Sequence, residues 1–144
     1  MFKILIGIDT GVHTGFAVAF DHGEGGVLQK VESLSITQAM QSVLEYEDEH
    51  DLKDIMLYIE DARKRTWFTG GREKSQGVGS VKRDAQIWED WCTEQGLNFK
   101  MIHPAANATK KKVADFKRMT GWTGRTNEHA RDAAMLVFKR YWKA

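Results

Sequence analysis

A short apolar stretch near the start of the chain, FKILIGIDTG at residues 2–11, decides the fold. Its isoleucines and leucine are typical of a strand buried on both faces of a sheet, and the run ends at Asp9. Glycines at positions 11 and 15 supply a turn, after which FAVAF at residues 16–20 predicts a second strand in a hairpin with the first. Residues 27–34 alternate enough in polarity to predict a third, outer strand.

The middle of the chain alternates between helical and strand patterns. Residues 36–49 repeat apolar side chains at helical spacing after two candidate capping residues, Ser35 and Thr37. Residues 55–59 form another apolar run that ends at Glu60, and a right-handed crossover would place it parallel to the first strand and beside it. Residues 62–79, rich in glycine and in basic residues, predict a long loop.

A helix and a fifth strand follow this loop. Ser80 would cap a helix at residues 81–95 that stops at Gly96. Its apolar stripe is expected at Ile87, Trp88, Trp91 and Cys92. Residues 97–102 predict the fifth strand.

Two more helices complete the predicted order. Thr109 would cap a basic helix with Val113 and Phe116 facing inward. Thr126 or Asn127 would cap the last helix, whose buried stripe is expected at Ala130, Ala133, Ala134, Val137, Phe138 and Tyr141. Together these elements predict an α/β fold with a mixed five-stranded sheet and helices on both faces.

Composition narrows the class of protein. The 144 residues, 42% of them hydrophobic, suit a single domain spanning residues 1–144. The first apolar stretch is too short to span a membrane and carries no cleavage pattern of a signal peptide, so we expect a cytoplasmic protein without membrane attachment. The lone Cys92 excludes a disulfide within the chain and a cysteine zinc cage, and its helical context predicts a buried thiol.

The net charge of +1 conceals an uneven distribution. Nine acidic residues stand against one lysine in residues 32–61, whereas seven basic residues stand against one glutamate in residues 62–83. Residues 100–144 hold eleven basic and three acidic residues. Concentrated positive charge is typical of binding to a nucleic-acid backbone, although solvated helix faces and an exposed loop would give the same pattern.

Two carboxylates follow the two strands that are predicted to be parallel neighbours. Asp9 and Glu60 would then lie at the same edge of the sheet, where open α/β sheets place their ligands. Neighbouring carboxylates repel each other unless a cation joins them, and oxygen ligands of this kind suit magnesium. Taken singly, each residue could equally be a turn-starting aspartate or a solvated strand end.

The predicted last helix would bring further ligands to this edge. His129 and Asp132 are three residues apart and project from the same helix face, and neighbouring alanines would let that face lie close to Asp9. The helix N-terminus favours the ionised form of Asp132 and helps to hold an anion. His129 alone would more often be a capping or surface residue, and Glu128 would complement the helix dipole.

Three motifs in this order resemble the RuvC-type Holliday junction resolvases (crossover junction endodeoxyribonucleases), particularly the short phage-encoded kind. They are IGIDTG at 6–11 followed by Thr14 and Gly15, the strand that ends at Glu60, and HARDAA at 129–134. The three motifs, in this order and at these spacings, extend over nearly the whole chain. The resemblance implies a ribonuclease-H-like fold and a metal-dependent endonuclease that cuts branched DNA, acting in the cytoplasm of a bacterium or of a phage-infected cell.

The resemblance also implies a ligand set and a mechanism. Carried over residue by residue, the metal ligands would be Asp9, Glu60, His129 and Asp132, holding two Mg²⁺ ions that hydrolyse a phosphodiester. The family more commonly has an aspartate where His129 stands, and an imidazole ligand makes Mn²⁺ more competitive. One of the lysines Lys110, Lys111 and Lys112 would offset charge in the transition state.

The predicted loop after Glu60 would contact DNA. In the resolvases that the chain resembles, an aromatic side chain of this region enters the junction. The candidate DNA-binding residues in this chain are Arg63, Lys64, Arg65, Trp67, Phe68, Arg72, Lys74 and Lys82. Packing of the aromatic residues beneath the loop or at a subunit interface is the alternative. The family acts as homodimers on four-way junctions, which implies a homodimer here as well.

Two other functions agree with the same residues. An RNA-processing nuclease of the same fold would have the same carboxylates and basic segments. A DNA-binding protein that has lost catalysis would retain the fold, and the histidine at position 129 in place of an aspartate gives that reading some support.

Overall fold

A computed structural model describes residues 1–64, 72–107 and 111–143, with the side chains of 72–78 and 81 excepted. Five strands in these ranges form one sheet, in the spatial order β3-β2-β1-β4-β5. Their bounds are β1 Lys3–Asp9, β2 Thr14–Asp21, β3 Gly26–Leu34, β4 Ile55–Glu60 and β5 Phe99–Ile102.

The register of the sheet sets where its carboxylates lie. Strand β1 pairs antiparallel with β2 and parallel with β4, and Ile8 is opposite Ile59. Asp9 and Glu60 come one residue later, so the two strands end side by side. Strand β3 pairs antiparallel with β2, and β5 pairs parallel with β4. The predicted mixed sheet is therefore confirmed.

Helices cover both faces of the sheet. The structure describes α1 Ile36–Glu49, α2 Arg72–Gln95, α3 Val113–Thr120 and α4 Glu128–Val137. Ser35 caps α1 in a capping box with Gln38, and the side chain of Asn127 caps α4 by accepting from the Ala130 amide at 2.9 Å. Within the described residues, none of the helices combines the length and the apolar character needed to cross a bilayer.

The helix boundaries differ from the predictions at three places. Helix α2 begins at Arg72, so the second part of the predicted loop is helical and Ser80 lies inside the helix. Helix α3 begins after Lys112, and the predicted cap Thr109 lies outside the described residues. Helix α4 ends at Val137, which leaves Tyr141 outside the helix and 55% exposed.

Besides Tyr141, two predicted core residues are on the surface. Ile87 is 41% exposed because α2 turns the positions Ala85, Trp88 and Cys92 toward the sheet, a spacing of three and four residues. Val113 is 44% exposed because it opens α3, whose buried residue is Phe116. Cys92 is fully buried as predicted, and burial raises the pKa of its thiol to about 12.

The core is divided into two layers by the alternation of side chains along the strands. Ile4, Ile6 and Ile8 of β1 pack toward α1 and α2, in a cluster that includes Val43 and Trp88. Leu5 packs on the opposite face with residues of β2, β4, α3 and α4. Because side chains alternate, Gly7 and Asp9 belong to this second face, which is the face that α4 covers.

Helix α4 lies directly against the sheet because glycines face it. A Cβ atom added at Gly7 would overlap the backbone carbonyl of Ala133, and one added at Gly15 would overlap the carbonyl of His129. Ala130, Ala133 and Ala134, all at most 1% exposed, are the helix residues at this contact. Small residues on both sides therefore fix the depth and the rotation of α4.

Hydrogen bonds connect the segment after α4 to the turn between β2 and β3. The carboxylate of Asp21 accepts hydrogen bonds from the amides of Gly23, Gly25 and Trp142 at 2.7, 3.0 and 2.8 Å. Burial raises the pKa of Asp21, but these hydrogen bonds, that of Trp142 foremost, outweigh it and hold the pKa below its ordinary value.

Substitution of Gly7 tests the close contact of α4. Gly7→Ala should lower the free energy of unfolding by about 1–3 kcal/mol, because the added methyl must displace the helix backbone. Urea denaturation followed by circular dichroism measures the change. Gly79→Ala is the matched control, since Gly79 lies in α2 with open space around it, and alanine there should stabilise by about 0.5–1 kcal/mol. Equal stability of the Gly7 variant and the native chain would contradict the contact.

Asp21 predicts a dependence of stability on pH. Its contribution is present above the ordinary carboxyl pKa of about 3.9 and is lost as the pH falls through the lower pKa of the folded state. At pH 7, Asp21→Asn should cost about 1–3 kcal/mol, because the amide nitrogen cannot accept from Trp142. The difference between the two proteins in urea denaturation should shrink below about pH 4. A difference that stays constant down to pH 2 would contradict this role.

Candidate active site

A cavity of about 280 Å³ opens at the edge of the sheet where β1 and β4 end. Three parts of the chain line it: the loop after β1, the end of β4 and the first turn of α4. Its acidic and imidazole side chains are Asp9, His13, Glu60, Glu128, His129 and Asp132. The structure thus brings together the four residues that the sequence analysis proposed as metal ligands.

The two strand carboxylates are buried side by side. Glu60 is 1% exposed and Asp9 is 8% exposed. Met56 and Tyr58 pack toward α4, so alternation along β4 places Glu60 on the same face as Asp9. Carboxylates are rarely buried this deeply unless they are paired or bind a cation. This edge of the sheet is therefore a candidate active site.

The first turn of α4 contributes an imidazole and a third buried carboxylate. The Asp9 Oδ2 atom lies 3.2 Å from Nδ1 of His129 and accepts its N–H. This hydrogen bond raises the pKa of His129 above its ordinary value and outweighs the opposing effect of partial burial. Asp132, one turn further along the helix, is 8% exposed. The candidate ligands Asp9 and His129 therefore lie together in the fold although they are 120 residues apart in the sequence.

Polar contacts fix the backbone around the cavity. Thr14 donates from Oγ1 to the carbonyl of Gly11 at 2.7 Å, which closes the loop after β1. Asn107 is 9% exposed and donates from Nδ2 to the backbone carbonyl of Asp132 at 3.1 Å. Side-chain hydrogen bonds thus hold both the loop after β1 and the helix turn that carries His129 and Asp132.

The carboxylates Glu60 and Asp61 have different environments although they are adjacent. Asp61 binds Arg63, whose Nε atom donates at 2.7 Å, and the same guanidinium donates from Nη1 to Glu89 at 2.9 Å. Burial raises the pKa of Asp61, but its hydrogen bonds with Arg63 outweigh it and keep the pKa below its ordinary value. Asp61 is absent from the cavity lining, so Glu60 alone of this pair faces the site.

Arg63, which the sequence analysis named as a candidate DNA-binding residue, has contacts within the chain as well. Its guanidinium joins the end of β4 to α2 through ion pairs with Asp61 and Glu89. Hydrogen bonds with Asp61, then Glu89, raise its pKa above the ordinary value. Lys64 and Lys82 are exposed. Arg65, Trp67, Phe68 and the side chains of Arg72 and Lys74 lie outside the described residues.

The candidate catalytic lysines are connected to α4 through Arg131. Arg131 is 9% exposed and donates from Nε to the backbone carbonyl of Lys111 at 2.8 Å and from Nη1 to Thr126 Oγ1 at 3.0 Å. Neither Lys111, half-buried, nor Lys112, exposed, lines the cavity in the structure. Lys110 lies outside the described residues. Arg131 thus holds the backbone of Lys111 beside the helix turn that carries His129 and Asp132.

The donor set suits a hard divalent cation. Three buried carboxylates and one imidazole provide mainly oxygen ligands, which magnesium and manganese accept. In the parts of the chain that the structure describes, no three acidic, histidine or cysteine side chains are already grouped as a coordination shell. Because His129 and Asp9 are hydrogen-bonded to each other, metal binding would require rotation of these side chains.

Comparison with solved structures identifies the fold. Three-dimensional similarity to T. thermophilus RuvC in complex with a Holliday junction substrate gives a TM-score of 0.59 over 94% of this chain and 90% of that chain. The chain has the ribonuclease-H-like fold. Sequence identity is 18%, so the comparison shows the fold alone. No protein family and no curated protein matches the sequence.

Sequence reasoning missed four residues that line or support the candidate active site. His13 lines the cavity, and its ring centroid lies 6.2 Å from that of His129. Glu128 also lines the cavity, in addition to standing in the first turn of α4. Asn107 and Arg131 support the site by donating hydrogen bonds to the backbone carbonyls of Asp132 and Lys111. A polar residue in a loop gives no sequence signal for such contacts, because they depend on how distant segments pack.

The link between Arg131 and Lys111 can be tested by substitution. Arg131→Met should lower the free energy of unfolding by about 1–3 kcal/mol, since the Lys111 carbonyl and the Thr126 hydroxyl lose a buried donor. Amide exchange at residues 112–114 should accelerate more than the global loss of stability explains. Arg125→Met, at an exposed position before α4, is the control and should change stability by less than about 0.5 kcal/mol. Native exchange rates at 112–114 in the Arg131 variant would refute the link.

Proposed function

We propose that this protein is a divalent-metal-dependent endodeoxyribonuclease that cuts branched DNA such as four-way junctions. One observation carries the proposal: Asp9, Glu60, His129 and Asp132, from two strands and one helix, line a single cavity at the carboxyl edge of the sheet. Buried carboxylates that converge in this way favour metal-assisted hydrolysis over simple DNA binding, which requires cations rather than anions.

The proposed ligands come from two strands and one helix. Asp9 and Glu60 of the strands, together with His129 and Asp132 of α4, would hold two ions. Mg²⁺ is the expected metal, and the imidazole makes Mn²⁺ an effective substitute. When bound, such ions activate a water molecule and stabilise the leaving oxygen of the phosphodiester.

The residues of the chain itself position this chemistry. Burial of Asp9, Glu60 and Asp132 keeps bulk water from competing for the carboxylates. His129 would give up its hydrogen bond with Asp9 when a cation binds, so protonation of the imidazole would compete with loading of the site. The N-terminus of α4, capped by Asn127, directs its positive dipole toward the cavity and favours a phosphate there.

The substrate class is inferred from the fold neighbour and from charge. The structure of T. thermophilus RuvC contains a Holliday junction, which supports branched DNA as the substrate of this chain as well. A homodimer would place two sites on a four-way junction, each cutting one strand. We extend the proposal to a short, phage-type resolvase that acts in the cytoplasm.

Substitution of single carboxylates tests the proposed catalysis. Asp9→Asn and Asp132→Asn should each reduce the cleavage rate of a labelled four-way junction in Mg²⁺ by about 10²–10³-fold, because each removes one preorganised charge. Binding of the junction in EDTA should be unchanged or tighter, because a negative charge is removed. Asp48→Asn, an exposed carboxylate of α1 on the other face of the sheet, is the matched control and should cleave at the native rate.

The same assay separates the proposal from its alternatives. Linear DNA duplex and RNA duplex, each compared with the junction at equal enzyme concentration, report the substrate preference. Faster cleavage of RNA duplex would favour an RNA-processing nuclease. Binding of the junction without any cleavage in Mg²⁺ or Mn²⁺ would show that the protein binds DNA but is not a nuclease.

A further inference from the structure

A second cavity, of about 390 Å³, lies on the same face of the sheet as the carboxylate cavity but toward the C-terminal end of α4. Strand β4 contributes Tyr58 to its lining and β5 contributes Lys100. These two residues are direct partners in the parallel register. The segment after α4 contributes Lys139, Arg140 and Lys143. We call these five residues the basic cavity.

All the charged side chains of the basic cavity are positive. Four of its side chains are cations, and no aspartate or glutamate is part of the lining. In the described residues, none of these four cations forms an ion pair with a carboxylate. Like charges gathered around a concave surface repel one another, and a bound anion relieves that repulsion.

Tyr58 adds a buried hydrogen-bonding group to this surface. The residue is 1% exposed, and its hydroxyl lies near the backbone of Lys143 without completing a hydrogen bond to any described residue. Buried hydroxyl groups nearly always have a partner. An anion in the basic cavity would supply an acceptor for this O–H.

The cations after α4 extend from a rigid turn. The Lys139 amide donates to the Gly26 carbonyl at 2.8 Å, and the Gly26 amide donates to the Arg140 carbonyl at 2.8 Å. Lys139 has a φ of 58°, a left-handed conformation that this double hydrogen bond maintains. The Arg140 guanidinium lies 4.7 Å from the centre of the Tyr58 ring, and its Nε donates to the Leu136 carbonyl at 2.5 Å. The backbone of Lys139 and Arg140 and the Arg140 side chain are therefore held in place by contacts within the chain.

We propose that the basic cavity binds a phosphate group, either one of a nucleic-acid backbone or a free phosphate. Lysine and arginine side chains, with a hydroxyl donor between them, are the groups that recognise phosphate oxygens. Tyr58 and Glu60 are two residues apart on the same face of β4, a rise of about 7 Å. A DNA strand at the carboxylate cavity could therefore place a nearby phosphate in the basic cavity, an extension that rests on the proposed function.

Binding experiments in EDTA test this site without any cleavage. Junction and linear duplex DNA are titrated over a range of salt concentrations with the native chain, the Lys100→Ala/Lys143→Ala double variant and Tyr58→Phe. The slope of log affinity against log salt should fall by about 2 in the double variant, with the same loss for both DNAs. Lys53→Ala, an exposed lysine outside the basic cavity, is the control and should bind like the native chain.

Inorganic phosphate provides the second arm of the test. Its titration should shift the amide resonances of residues 139–143 in a saturable way, and both the double variant and Tyr58→Phe should weaken this response. Phosphate binding together with the loss in DNA affinity supports a site for the nucleic-acid backbone, whereas phosphate binding with native DNA affinity supports a site for a free phosphate compound.

Two results would overturn the inference. The first is no saturable shift at residues 139–143 together with native DNA affinity in the double variant. The second is a native response of Tyr58→Phe to phosphate, which would show that the buried hydroxyl takes no part. Since no measurement in this set involves cleavage, a failure of the nuclease proposal in the junction assay would leave the phosphate site standing.

Discussion

The backbone of α4 rests on the glycines of the sheet, and the rest of the structure depends on this contact. No side chain separates the helix carbonyls of His129, Ala133 and Val137 from Gly15, Gly7 and Gly26. The distance between the two layers is therefore set by backbone atoms, which cannot change rotamer. A helix held at this depth must present its first turn to the end of β1, and the meeting of His129 with Asp9 follows from that position.

Much of this arrangement could be predicted from the sequence. The apolar runs that end at Asp9 and Glu60 predicted two parallel strands with adjacent carboxylates, and the register confirms the pairing. The start of α2 could not be predicted, because the helix continues through Gly77 and Gly79, a residue type that helix propensity disfavours. The ion pairs of Arg63 were missed for a different reason. Glu89 is 26 residues away, and local sequence does not reveal which residues a fold brings together.

The two cavities divide the charge of the molecule between them. A net charge of +1 gives no hint that one concave surface is lined by carboxylates and another by cations on the same face of the sheet. The ribonuclease-H-like fold explains neither surface, since a fold is a frame on which different sites can be built. The proposed activity rests on side chains that would hold metal ions. The proposed phosphate site rests on cations that would hold the nucleic-acid backbone close to those ions.

The separation of Asp9 and His129 along the chain has a consequence for the newly made protein. The ribosome must synthesise another 120 residues after Asp9 before its partner exists, and the partner arrives only when α4 docks. Fragments that end early, or chains in which α4 has locally unfolded, contain the strand carboxylates but lack the complete set of candidate ligands. The proposed cleavage of DNA would therefore be confined to fully folded molecules, and incomplete translation products would lack it.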